Sequence, residues 1–333
     1  MRLVKAQAFE PRPLEWLWKG RIPFKAVYML DGDGGVSKST LTCTMAAHIS
    51  KGENWPDGAA CPAGRTILCN NEDLPEEIIV PRLIAAGADR ERVHIMLPGS
   101  DGDSFSIPEK IEPLEREIAG QDVRLIVFDP MLDYLSTKTS NISEQQVRRA
   151  ISYLTAFAQR ANLAIILIRH LNKDAKQNTK YRGSGSVAFY ALARAGLMVV
   201  QDPSERSRCL MLPNKANWSA LQSGLAYRVE SWEFEAEGAA IETSRIVWDG
   251  ECAATTDDIH ALEMTEMPER DVAEACQFLR TVLAEGPRTT EQLFNMAGRE
   301  GLSKGAVFRA RTLLDLDKYY QEGEWRWSLK KDG

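Results

Sequence analysis

Short apolar runs and amphipathic stretches alternate from about residue 25 to residue 250. AVYMLD, TILCN, VHIML, VRLIVFD and LAIILI are short, apolar and, as a set, rich in β-branched residues, which predicts buried strands. TLTCTMAAHIS and SEQQVRRAISYLTAFAQRAN between them read as helices. In the second, Ser143 with Gln146 makes a capping box, and Val147, Ala150, Ile151, Leu154 and Ala158 fall on one face. Strand–helix alternation predicts an α/β fold, a mostly parallel sheet with helices packed on it. After Arg194 the pattern turns to strands alone, GLMVVQ, RCLMLPN, LAYRVE and RIVWDG, expected as additions to one sheet edge. The boundaries predicted are a first domain over 1–250, an acidic linker over 251–267 and a small domain over 268–333. Three helical patterns and then YYQEGEWRWSLKK, a hairpin alternating Trp325, Trp327 and Leu329, give the last domain the layout of a winged helix.

Length and composition refine this picture. A chain of 333 residues favours two domains over one. With 44% hydrophobic and 26% charged residues it has an ordinary globular composition, and no apolar run reaches membrane-span length. The first residues lack an apolar leader, so a cytoplasmic location is expected. Six scattered cysteines and four unclustered histidines argue against a disulfide framework or a zinc site. The net charge of -6 confines any nucleic-acid binding to local patches.

Chemistry concentrates first in GDGGVSKST, Gly32 to Thr40. Preceded by a strand and followed by a helix, it has the context of a phosphate-binding loop. Gly32, Gly34 and Gly35 let the backbone turn tightly, and the N–H groups through Val36 to Thr40 meet phosphate at a helix N-terminus. Lys38 would reach the β- and γ-phosphates of ATP, and Ser39 would hold Mg²⁺. Ser37 stands where the pattern calls for glycine, and a Cβ forced to positive φ costs on the order of 1 kcal/mol.

Three strand ends supply the loop's partners. Asp129 closes the apolar strand LIVFD, where a carboxylate can sit beside Mg²⁺. Glu72 follows the TILCN strand and could polarise an attacking water, with Asp73 as its rival. Arg169-His170-Leu171-Asn172-Lys173 is a polar tip on a buried strand, placing His170 as a γ-phosphate sensor.

Taken together, WLWKGRIP, GDGGVSKST, the NED after the second strand, R-x-x-AAGAD-x-x-RVH, VFDPMLDYL, RHLNK and YRGSGSVAFYALARA resemble the RecA-fold ATPases of the plasmid RepA hexameric helicase group, related to DnaB and KaiC. The resemblance spans residues 14–215 in the expected order. It implies a RecA-like P-loop core, a hexameric ring with ATP between protomers, and single-stranded DNA in the central channel. Within it Glu72 falls on the catalytic glutamate, Asp129 on the Walker B aspartate and His170 on the sensor. Arg194 falls near the arginine finger that completes a neighbour's site, with Lys215 in a companion basic role. Ser37 departs from the pattern and puts the rate of hydrolysis in question.

The loop after the sensor would face the channel in such a ring. Lys173, Lys176, Lys180 and Arg182 against Asp174 give it a local charge of about +3, suited to phosphate contacts, and Tyr181 could stack on a base. SKGAVFRARTLLDLDKYY reads as the recognition helix of the last domain, capped by Ser303, with Ala306, Val307, Ala310 and Leu314 buried and Lys304, Arg309 and Arg311 outward. From Glu266 onward, eleven Lys/Arg stand against twelve Asp/Glu, a net -1. That balance leaves DNA and protein equally open as partners of this domain. Two readings follow for the whole chain: an ATP-driven helicase-like motor, or a nucleotide-switched loader, mediator or regulator that hydrolyses slowly.

Overall fold

The computed structural model describes residues 3–97, 105–135, 143–170, 193, 195–218, 221–263, 269–314, 316–321 and 324–329. A nine-stranded sheet forms its centre. A small two-stranded ribbon, β1 (Trp16–Trp18) and β2 (Ile22–Pro23), precedes it. The strands that carry the site follow: β3 (Ala26–Gly32), β4 (Arg65–Asn70), β5 (Val93–Met96), β6 (Val123–Asp129) and β7 (Ala164–His170). Then come β8 (Ala195–Asp202), β9 (Glu205–Ala216), β10 (Gly224–Ala236) and β11 (Ala239–Cys252). Their order is β11-β10-β9-β8-β3-β7-β6-β4-β5. The six from β8 to β5 are parallel, and β9, β10 and β11 add antiparallel to the β8 side. The α/β class and the late edge strands are as the apolar runs predict. VHIML differs. As β5 it is the outer strand with one neighbour, so its residues are half-buried or exposed rather than buried.

Period-two alternation sorts the strands' side chains onto two faces. Tyr28, Leu30, Leu68, Val127, Ile166 and Ile168 pack beneath α1 (Lys38–Lys51) and α2 (Val80–Ala85). Val27, Met29, Ile67, Ile126, Phe128, Ile165 and Leu167 pack under α3 (Ile111–Glu117) and α4 (Glu144–Ala161). α4 carries the expected Ser143–Gln146 capping box, and its five predicted core positions are buried along with Phe157. The WLWKGRIP segment has a structural role. Trp18 stacks on Trp55 at 4.3 Å, and Asp57 accepts hydrogen bonds from the Trp18 indole (2.8 Å) and from Arg21 (2.9 Å).

The span read as a linker holds a helix, α5 (Thr256–Glu263), whose Ile259 joins Met198, Val200, Leu210, Leu212 and Ala226. The remaining elements are α6 (Glu269–Ala284), β12 (Arg288–Thr289), α7 (Thr290–Arg299), α8 (Lys304–Leu313), β13 (Asp317–Gln321) and β14 (Glu324–Ser328), the strands ordered β12-β14-β13. They have their own core, centred on fully buried Trp327 with Phe294 and Phe308 against it. Ser303 Oγ accepts from Ala306 N at 3.2 Å as a cap. Ala306, Val307 and Ala310 are buried as predicted, with Leu314 half-buried against the same core. Arg311 departs from its expected outward course: its guanidinium lies over Trp327 (5.2 Å) and Phe308 (5.5 Å), the aromatic faces holding it in.

Candidate nucleotide site

β3 ends at Gly32, α1 begins at Lys38, and the glycine-rich loop spans the turn between them. The glycines serve different ends. A Cβ on Gly32 would meet the Val199 carbonyl of neighbouring β8 at 2.5 Å, so glycine there is a packing requirement. Gly35 turns at φ +83°, a left-handed conformation natural to glycine. Gly34 and Gly35 are exposed at the loop's crest. Behind them Val36 is buried, and its carbonyl accepts a 2.8 Å hydrogen bond from the Tyr227 hydroxyl on β10. Thr40 is buried on the first turn of α1.

Ser37 caps α1 at φ 60°, ψ 38°, and its hydroxyl makes no capping hydrogen bond. The strain anticipated from the missing glycine is therefore real. Ser37→Gly is expected to raise stability by up to about 1 kcal/mol, the relief of left-handed strain partly offset by glycine's chain entropy. Chemical denaturation of the two proteins measures it, and a destabilised Ser37→Gly would show that the loop tolerates serine without strain.

Alternation then assembles the rest. Asn70, Asp129 and His170 end β4, β6 and β7 with side chains on the α1 face, and the registers set Asn70 opposite Asp129 and His170 opposite Gly32. Ser39 Oγ donates to Asp129 Oδ2 at 2.6 Å. Lys38 Nζ donates to the carbonyls of Gly32 (2.9 Å) and Asp33 (2.8 Å) and lies 3.4 Å from His170 Nδ1. Burial lowers the Lys38 pKa, opposed by Asp129, Asp33, Asp31 and Glu72. Burial raises the Asp129 pKa, and nearby Glu72 adds to this, while the Ser39 hydrogen bond and Lys38 oppose it. A buried carboxylate with a hydroxyl oxygen against it is chemically suited to a hard cation.

Glu72 and Asp73, open rivals in the sequence, separate here. Asp73 is tied to Arg82 at 2.6 Å. Glu72 stays exposed, its Oε2 3.9 Å from His170 Nε2. Lys215 lies elsewhere. It pairs with Gly196, which pairs with Met29, three residues or about 10 Å before the loop end of β3. Burial lowers its pKa. Arg194, Lys173, Lys176, Lys180, Tyr181 and Arg182 lie outside the described residues.

Some residues of the site escape the sequence reading. Arg169 is the clearest. Taken as part of a polar tip, it instead points to the face opposite His170, where its guanidinium makes a two-pronged pair with Asp31 (both contacts 2.9 Å), at 2% and 1% exposure. Asn70 had a legible signal, an asparagine before acidic residues in a turn. Tyr227 had none, since nothing local links residue 227 to residue 36.

A family profile described as the AAA domain matches residues 2–176 of the 333, more than half of the chain and the span holding the loop, Glu72, Asp129 and His170. The chain belongs to the AAA domain family. As an AAA domain it is a nucleotide-binding ATPase. No curated protein matches it. Among solved structures, the ATPase domain of another protein is similar at 11% identity, covering 61% of this chain and 81% of that one, with a TM-score of 0.46. The family match stops before β8, so the antiparallel strands and the Trp327 unit stand outside it. Among the described residues no helix of this AAA domain protein is long and apolar enough to cross a membrane.

Proposed function

We propose that this AAA domain protein is a Mg²⁺-dependent ATPase of the RepA helicase type, a hexameric ring that moves on single-stranded DNA. One observation carries the reading: Lys38, Ser39–Asp129 (2.6 Å) and His170–Glu72 (3.9 Å) converge on one loop at the carboxyl end of the parallel strands. Ligands of open α/β sheets bind at that end. Ser39 and Asp129 would hold Mg²⁺, which when bound offsets negative charge on the phosphates. Lys38 exchanges its contacts with the Gly32 and Asp33 carbonyls for the β- and γ-phosphates. Glu72 orients a water toward the γ-phosphorus and takes its proton, and His170 reports the γ-phosphate to β7. Arg194 and Lys215 act on a neighbour's nucleotide, a role that fits Lys215's distance from its own loop.

Lys173, Lys176, Lys180 and Arg182 are the DNA contacts in this reading. Replacing all four with alanine is expected to abolish stimulation of ATPase by single-stranded DNA. The salt slope of log Kobs should shrink by up to about 3, from roughly 0.7 per lost phosphate contact. An unchanged slope removes the loop from the DNA path. The last domain is read as a winged helix that docks DNA or a protein partner.

A second reading is favoured by Ser37's left-handed backbone. In it the protein is a loader, mediator or regulator that binds ATP, assembles on DNA and hydrolyses slowly. ATP turnover with and without single-stranded DNA, joined to a strand-displacement assay, separates the two. DNA-stimulated turnover with displacement supports the motor. ATP-dependent retention on DNA without displacement supports the mediator, and turnover indifferent to DNA together with no ATP-dependent retention rejects both.

A further inference from the structure

We infer that Asn70 is the positioning residue that holds Glu72 in line with Asp129 for attack on the γ-phosphate, an inference that rests on the hydrolytic reading above. One amide side chain makes three contacts that join Glu72, Asp73 and Asp129. Its Oδ1 accepts from the backbone N–H of Glu72 (2.9 Å) and of Asp73 (2.7 Å), filling both lone pairs. Its Nδ2 donates to Asp129 Oδ2 at 3.3 Å. Asn70 and Asp129 are register partners on adjacent strands, so the bracket is referenced to the sheet itself.

The need for such a bracket follows from where Glu72 sits. It is an exposed residue in a bend beyond the strand end, and its carboxylate approaches His170 no closer than 3.9 Å. Where its carboxylate can reach is bounded by its backbone, and that backbone is held by the Asn70 amide. Asp73, the next residue, is fixed twice, by Asn70 at its N–H and by Arg82 at its carboxylate (2.6 Å), so the turn is pinned on both sides of the Glu72 carbonyl. Lys38 and the glycine-rich loop, which meet the phosphates, share no hydrogen bond with Asn70 among the described residues. Loss of Asn70 should thus spare the direct phosphate contacts and act mainly on the Glu72 turn, with the loss of one long hydrogen bond to Asp129, which keeps its shorter one from Ser39. A displacement of about 1 Å at a reacting group can cost about 100-fold in rate.

The test compares Asn70→Ala and Asn70→Ser with the native chain and Glu72→Gln, reading kcat and KM for ATP, Kd for a fluorescent ATP analogue, and the melting temperature. Asn70→Ala is expected to lower kcat by about 10- to 100-fold while Kd stays within about twofold. Asn70→Ser, whose hydroxyl can still accept from the turn, should recover part of kcat. Asn70→Ala with native kcat, beside an inactive Glu72→Gln, overturns the positioning role and leaves the hydrolytic reading intact. Parallel loss of kcat, Kd and melting temperature without rescue by serine makes Asn70 merely structural and also overturns it. Native turnover in Glu72→Gln overturns the role of Glu72, and the inference with it.

Discussion

Glu72→Gln is expected to bind ATP normally and to turn it over about 10²- to 10⁴-fold more slowly, the range by which a positioned general base contributes. Glutamine keeps the shape of the side chain and the backbone N–H that Asn70 accepts, so the turn should not move. It cannot take a proton from water. Asp73→Asn is the matched control. Asp73 is tied to Arg82 (2.6 Å) in a partly buried pair and its backbone N–H stays on Asn70, so its loss should lower stability and loosen the turn at a smaller cost in kcat than Glu72→Gln. Phosphate release at saturating Mg·ATP, beside nucleotide affinity measured separately, reads both. An active Glu72→Gln with an inactive Asp73→Asn would exchange the two roles. Loss of affinity in Glu72→Gln would make the residue a ligand rather than a base.

The second large effect is on stability. Arg169→Met should cost about 3–5 kcal/mol, because it leaves the Asp31 carboxylate buried without its cation. For a domain of this size that lowers the melting temperature by on the order of 10 °C. Asp31→Leu should also destabilise, because it removes two hydrogen bonds that the buried Arg169 guanidinium makes. The double variant should recover most of the loss, since an apolar pair of like volume escapes the desolvation penalty. Its activity is then informative. Asp31 and Arg169 are register partners one residue before Gly32 and His170, and they tie the loop strand to the strand that ends in His170 from the opposite face. A stable double variant with impaired hydrolysis would mean that the pair sets the registration of the loop and His170. Full additivity of the two single losses would show that the pair is not coupled.

The elements of the central sheet were written in local pattern. Short apolar runs, the α4 capping box and the loop between a strand and a helix depend on neighbours a few residues away, so AVYMLD, VRLIVFD and LAIILI announced β3, β6 and β7 in advance. The left-handed strain at Ser37 was legible for the same reason, because the loop's geometry is set by its own few residues. Which strand would lie outside was not legible. VHIM is as apolar as its fellows, and only the order of strands leaves β5 with a single neighbour.

The nucleotide site divides along the same line. The types of its residues and their places at strand ends could be read directly. What tertiary structure decided was facing. Period two sends His170 to the α1 side and Arg169, one residue earlier, into a buried pair with Asp31, 138 residues away. Arg82 ties down Asp73 and leaves Glu72 exposed beside His170. Tyr227 reaches the Val36 carbonyl across 191 residues, and Arg311 is drawn over Trp327 by a core that exists only once helix and hairpin meet. The chain by itself determined its strands, its helices and its phosphate loop, because backbone propensity and side-chain periodicity act over a few residues. The pairings among charged and polar side chains were settled only in the folded molecule, where burial makes an unpartnered charge too costly to leave in place.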